Sequence, residues 1–380
     1  MAVARLKSKV KPALLAWART SARLTVEAAA AKATVKPEQI AAWEDGSDAP
    51  SIPQLRKLAD AYKRPLVVFY LPTPPTDFDA LRDFRRLPAD AQVESAELAS
   101  EIRWAHEVRE VALEVYRAVD EKIASFGVRA KLGDDPGDVA KRLRLALGLT
   151  PEQMWTVTDW YEAYRIRRVA LESVGILCLQ FTGIEVEEAR GFSIDLRPFP
   201  VVATNASDAV SARMFTLLHE AAHLALGVAG TCDMHTRGKD ERDRIEVFCN
   251  AVAAEVLVPS AHLLQEQVVR GVRGEAHWSD ATVKGLASRY RVSREVIVRR
   301  LRELKLASEQ FYREKRDEYL AADIPPKGSG GDFYNNRRVK YGMPVIRGVL
   351  NAYRAGKITA NEAAAYLRVK VESLSAMDNT

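Results

Sequence analysis

Met214-Phe215-Thr216-Leu217-Leu218-His219-Glu220-Ala221-Ala222-His223-Leu224-Ala225-Leu226-Gly227 is the stretch on which the reading of this chain turns. Its apolar flanks predict a helix that Gly227 can end. On a helix, positions i and i+4 share one face, so His219 and His223 stack one turn apart. Both rings can then reach one ion about 2 Å away, with Glu220 turned to the side where water would sit. With six histidines in 380 residues, chance supplies only about 0.01 such motifs. A pair of buried histidines satisfied by hydrogen bonds is the competing reading. Two imidazoles and a carboxylate are a costly way to pack a helix, which favours the metal site.

A third ligand is offered downstream. Ile245-Glu246-Val247-Phe248-Cys249-Asn250-Ala251-Val252-Ala253-Ala254-Glu255-Val256-Leu257-Val258-Pro259 has apolar residues at helical spacing and stops at proline. Glu246 and Asn250 lie one turn apart, which suits a ligand carboxylate backed by an orienting amide. Glu255 is rotated well away and reads as an exposed carboxylate on the helix flank.

These residues resemble the ImmA/IrrE metallopeptidases. The resemblance rests on Arg213 to His223, on Glu246-x-x-x-Asn250-x-x-Ala253-Ala254-Glu255-x-Leu257-x-Pro259, and on the preceding Gly191 to Ile194 and Pro200 to Asn205. It implies that His219, His223 and Glu246 bind Zn2+ and that Glu220 is the general base. The family's usual glycine before the second histidine is Ala222 here, and a common phenylalanine is Val252; neither change removes a ligand.

The remaining length asks for more than one domain, since 380 residues and 42.2 kDa exceed an ordinary single core. Residues 1–70 carry twelve Lys or Arg against six Asp or Glu, although the whole chain is only +5. The basic character is therefore expected at the front, which favours an anionic partner there. Short helices are predicted from Leu14, from Leu24 with Thr25 as N-cap, from Pro37 to Gly46, and from Leu55 to Tyr62. Leu24-Thr25, Ala30-Ala31, Val35, Ile40, Trp43-Glu44, Gly46, Pro50, Leu55 and Leu58-Ala59 resemble the Cro/C1-type (XRE) helix-turn-helix domain. That likeness implies DNA binding through residues 1–70, with Lys36, Glu38, Gln39 and Ala42 near bases. Lys11, Arg19, Arg23, Lys32, Lys57 and Lys63 are then candidates for phosphate contacts. Glu38, Glu44 and Asp45 make the reading helix acidic, so a protein-binding or dimerising use, including a homodimer, stays open.

Elsewhere, Leu71 to Thr76 reads as a linker, and Asp83-Phe84-Arg85-Arg86 resembles a segment found between the two modules. Helices are expected over 95–126, 138–147 and 155–173, with strands near 175–181, 191–194 and 200–204. In the polar loop 230–240, His235 and Arg237 are oxyanion candidates, a plain loop being the stronger reading. Residues 280–302 form a second helix-turn-helix-like pair with Ser293 as N-cap. Its Arg294, Arg299, Arg300 and Arg302 read as a solvated face, with nucleic acid as the rival. Residues 325–332 read as a joint and Val345 to Leu374 as short helices, one capped by Thr359. No tandem repeat or phosphate-binding loop is detected.

The expected fold is mainly α with a small β-sheet (α+β). A helix-turn-helix bundle (1–70) and linker (71–94) lead into a zincin-like domain (95–325) and a helical C-terminal region (326–380). Cys178, Cys232 and Cys249 make no disulfide framework, and no apolar run spans a membrane, so a cytoplasmic location is expected. Three functions follow: a zinc endopeptidase cleaving a helix-turn-helix repressor, a DNA-binding regulator whose peptidase-like domain senses a ligand, or an antitoxin-like module.

Overall fold

Alanine-rich amphipathic segments, most of them begun by a polar cap or proline, give a largely helical chain. The computed structural model describes residues 8, 10–22, 24–64, 66–71, 73–74, 95–228, 239–322 and 333–378. It divides into two compact units, Met1–Trp104 and Ala105–Thr380, with the division inside the helix Ala96–Ala118. Of the linker expected at 71–94, residues 72 and 75–94 lie outside the described ones.

The first unit contains the helices Pro12–Ser21, Val26–Ala33, Pro37–Asp45 and Ile52–Ala61. Thr25 caps the second by accepting the Ala28 N–H at 3.1 Å, as expected. Leu15, Ala18, Ala29, Ala30, Ile40, Trp43, Leu55, Leu58 and Phe69 close one core.

The second unit is built around three strands, β1 (Leu177–Phe181), β2 (Gly191–Ile194) and β3 (Val201–Asn205), in the order β1-β3-β2. β1 runs parallel to β3, and β2 runs antiparallel to it. β3 leads almost directly into the helix Val210–Leu226, which packs against β2 and β3 and against the helices Trp160–Ser173 and Lys239–Leu257. The helix Phe333–Tyr341 covers β1. The C-terminal helices therefore share the second unit's fold rather than hanging from it.

Two expected helices come out shorter. The 95–126 helix stops at Ala118, because Asp120 takes a left-handed conformation (φ 53°), and the chain to 131 is irregular. The 155–173 helix splits into Pro151–Trp155 and Trp160–Ser173, since the Asp159 side chain caps the Glu162 N–H at 2.7 Å. Among the described residues, no helix is long and apolar enough to cross a membrane.

Candidate metal centre

The helix Val210–Leu226 is deeply packed. Met214, Leu217, Leu218, Ala221, Ala222, Leu224 and Ala225 are all fully buried. It ends where the sequence suggests, at Gly227 with φ 70°, and the Val228 N–H bonds the His223 carbonyl at 3.1 Å. Its small residues let the helix Lys239–Leu257 lie close against it, with Ile245, Cys249, Val252, Ala253 and Val256 facing inward. Cys249 belongs to this core, and burial pushes its thiol well above the usual range.

This packing brings His219, His223 and Glu246 to one point. The two Nε2 atoms stand 3.0 Å apart. Glu246 places Oε2 at 3.3 Å from His219 Nε2 and Oε1 at 3.3 Å from His223 Nε2. A tetrahedral ion with bonds of about 2.0–2.1 Å has ligand-to-ligand edges of about 3.3–3.4 Å, so these spacings match one. Two imidazole nitrogens and a carboxylate that crowd together also require positive charge at their centre. A proton or a divalent cation supplies it, and the donor set fits zinc. His223 is 1 % exposed and His219 13 %, but Glu246 is 42 % exposed, so the cluster opens to solvent on the Glu246 side.

The electrostatics agree with the geometry. Burial works against a charged His219, yet the hydrogen bond to Glu246 and the nearby Glu220 and Glu246 charges hold its pKa above the ordinary imidazole value. Burial would raise the Glu246 carboxyl, but hydrogen bonds to both imidazoles hold it well below the usual carboxylate range. Asn250, one turn further along its helix, adds a smaller push in the same upward direction on His219. Phe215 stacks on the same ring, with centroids 6.2 Å apart.

Glu220 lies outside this triangle. It is buried, and its Oε2 has no hydrogen-bond partner among the described residues. Its neighbour across the interface is Gly191 at the start of β2. A Cβ there would meet Thr216 Cγ2 at 2.4 Å, the Ala203 carbonyl at 2.7 Å and Glu220 Cγ at 3.7 Å. Only glycine lets β2 approach the histidine helix this closely. Sequence reading took Gly191 as part of a strand and missed this role; a glycine inside a strand pattern was the available signal.

Glu255 is not an exposed flank residue. It pairs with Arg300, and its Oε1 accepts from the Ser260 N–H and hydroxyl at 3.0 Å. The expected solvated face at Arg294 to Arg302 is likewise packed inward. Arg294 lies over Tyr319 and Arg302 over Tyr312, while Arg299 pairs with Glu295 and Arg300 with Glu255 and Glu303. His235 and Arg237 fall outside the described residues.

In the first unit, Lys36 and Glu38 are exposed on the helix Pro37–Asp45, and Gln39 and Ala42 are half-buried. Gln39 Oε1 accepts the Lys36 N–H at 3.1 Å, so that oxygen caps its own helix. Arg19 is not a free phosphate contact. It grips Glu44 with two hydrogen bonds, 2.7 and 2.8 Å, and also donates to the Leu24 carbonyl. The same pair neutralises one of the acidic groups on the reading helix. Lys32 is exposed and pairs with Glu97 at 2.7 Å, an exposed bridge of the kind that contributes little stability. Arg23 lies outside the described residues.

Comparison with known families agrees with both halves. Residues 173–302 match the family Peptidase_M78, described as the IrrE N-terminal-like domain. Residues 15–69 match the helix-turn-helix family HTH_3. No curated protein matches the chain. The protein thus joins an XRE-type helix-turn-helix domain to an IrrE/ImmA-like, metallopeptidase-like domain.

Proposed function

We propose that this protein is a zinc-dependent regulatory endopeptidase that cleaves a helix-turn-helix repressor, with its own N-terminal domain directed to DNA. The observation that carries the reading is the meeting of His219, His223 and Glu246 at tetrahedral spacing, beside a buried Glu220 whose Oε2 has no partner among the described residues.

The imidazole Nε2 atoms and the Glu246 carboxylate would hold the ion, leaving the exposed Glu246 side for water and substrate. Bound there, zinc supplies Lewis-acid polarisation of a peptide carbonyl and lowers the pKa of water. Phe215 stacks on the His219 ring and limits its orientation. Glu220 Oε2 is available to take a proton from water and return it to the leaving amine. β2, at one edge of the sheet, offers backbone groups on which an extended peptide can lie beside Glu220.

The test joins metal content to cleavage. Purified protein is expected to hold one zinc per chain and to cleave a co-expressed repressor encoded beside it. Glu220→Gln is expected to keep the zinc and lose the cleavage. A Glu220→Gln protein that regulates normally in cells would instead favour a regulator that senses through this domain.

A further inference from the structure

The last helices of the chain repeat the first ones. Thr25-Val26-Glu27-Ala28-Ala29-Ala30-Ala31-Lys32-Ala33-Thr34-Val35-Lys36-Pro37-Glu38-Gln39-Ile40-Ala41-Ala42-Trp43-Glu44 aligns without a gap to Thr359-Ala360-Asn361-Glu362-Ala363-Ala364-Ala365-Tyr366-Leu367-Arg368-Val369-Lys370-Val371-Glu372-Ser373-Leu374-Ser375-Ala376-Met377-Asp378. The likeness is too diverged to be evident from sequence alone, and the structure makes it plain. Thr25 caps the helix Val26–Ala33, and Thr359 caps Ala360–Leu367 through the Glu362 N–H at 3.2 Å. Each helix ends on a non-glycine residue in the left-handed region, Thr34 at φ 58° and Arg368 at φ 50°. The next residue then donates back to the helix: Val35 to the Ala30 carbonyl at 3.0 Å, Val369 to that of Ala364 at 2.9 Å. An extended lysine follows in both, Lys36 (φ −85°, ψ 146°) and Lys370 (φ −77°, ψ 152°), before the next helix begins.

The burial pattern repeats as well. Ala29, Ala30, Ala33, Ile40 and Trp43 are buried, and so are Ala363, Ala364, Leu367, Leu374 and Met377. Lys36, Glu38 and Ala41 are exposed, as are Lys370, Glu372 and Ser375. The correspondence reaches back one helix further, where Leu15 and Ala18 match the buried Val349 and Ala352 of Met343–Arg354. The same left-handed C-cap also closes segments at Lys63, Asp120, Arg291 and Lys305, so what pairs these two hairpins is the threonine cap, the extended lysine and the repeated burial pattern.

Local form alone does not make a binding surface. The hairpin of Asp280–Tyr290 and Arg294–Glu303 has the same turn, with Arg291 at φ 54° and Val292 donating to the Ala287 carbonyl at 3.0 Å. Its arginines are consumed internally, as described above. The C-terminal hairpin differs on two counts: its second half keeps Glu372 and Ser375 exposed while burying Leu374 and Met377, and its segment is basic. Residues 333–380 hold eight Lys or Arg against three Asp or Glu, so the front of the chain is not its only positive region. Among the described residues Arg368 pairs with an exposed Glu107 at 3.6 Å, a bridge weak enough to yield to a stronger anion.

We infer that the hairpin Thr359–Asp378 is a second contact for duplex DNA, presenting Glu372 and Ser375 to a groove and Lys370, with Lys357 just before the hairpin, to phosphates. The inference stands apart from proteolysis, so it is tested in full-length protein carrying Glu220→Gln. Binding to a mixed-sequence duplex of about 30 base pairs is followed by anisotropy between 50 and 200 mM salt. Lys357→Ala with Lys370→Ala is expected to flatten the salt dependence by about two contacts, weakening binding about 10- to 100-fold near 0.1 M. An unchanged slope in a variant with the parent's circular dichroism melt would overturn the proposal. A photo-crosslinking p-benzoylphenylalanine in place of the exposed Ser375 gives a second reading without touching a charge. An adduct with the labelled duplex supports DNA; an adduct only with a second copy of the chain or with another protein, or none, refutes it.

Discussion

The helices Val210–Leu226 and Pro37–Asp45 both carry polar groups to which the proposed function gives roles, but they keep them differently. The first holds Glu220 and His223 in the interior, where packing on every side fixes their geometry. The second leaves Lys36 and Glu38 in solvent and buries Ile40 and Trp43 instead; its half-buried Glu44 is spent on Arg19. Chemistry that needs atoms within a few tenths of an ångström is placed in a rigid core, whereas recognition of a charged partner is left on a surface. Substitutions should therefore act steeply on the first helix and gradually on the second.

The steepest expected effect is at Glu220. Glu220→Gln should lower cleavage by about 10²–10⁴-fold with zinc content unchanged, whereas His223→Ala should lose the metal itself. Elemental analysis beside a cleavage assay separates the two, and equal activity in both variants and the parent breaks the contrast. Gly191→Ala comes next. Its methyl must push against Thr216 and the Ala203 carbonyl, so β2 should shift from Glu220 at a cost of about 1–3 kcal/mol, read by chemical denaturation alongside activity.

On the other helix, the structural and recognition parts should come apart. Arg19→Ala removes a bidentate pair and should destabilise the first unit by about 1.5–3 kcal/mol, seen as an earlier thermal transition. If it were a phosphate contact it would instead flatten the salt dependence of DNA binding with stability intact. The smallest effect belongs to Lys36→Ala, which should reduce that salt slope by about one and leave the melting temperature unchanged. A large loss of stability there would show that the exposed face is structural after all.

Much of this was legible in the residues. Spacing put His219 and His223 on one face, and Glu246 with Asn250 one turn apart on the next helix, because helical periodicity is a local property. Caps were equally readable: Thr25, Ser293 and Thr359 each accept the N–H three residues on, as their side chains and positions suggest. Readings that depended on a partner far along the chain fared worse. Arg19 found Glu44, Glu255 found Arg300, and Arg294 and Arg302 found tyrosines on a helix beyond their own hairpin. Nothing local distinguishes such side chains from solvated ones.

By itself, then, the order of residues determined which segments are helices, where most of them begin and end, and which side chains share a face. Dihedral preferences and capping act over a few residues, so they are written in the sequence. Only the tertiary structure decided that two separate helices deliver three donors to one point, that Gly191 allows β2 to touch Glu220, and that of the two hairpins in the second unit one is packed away and one is left open. Those outcomes depend on what else must be buried, and burial is settled by the whole chain at once.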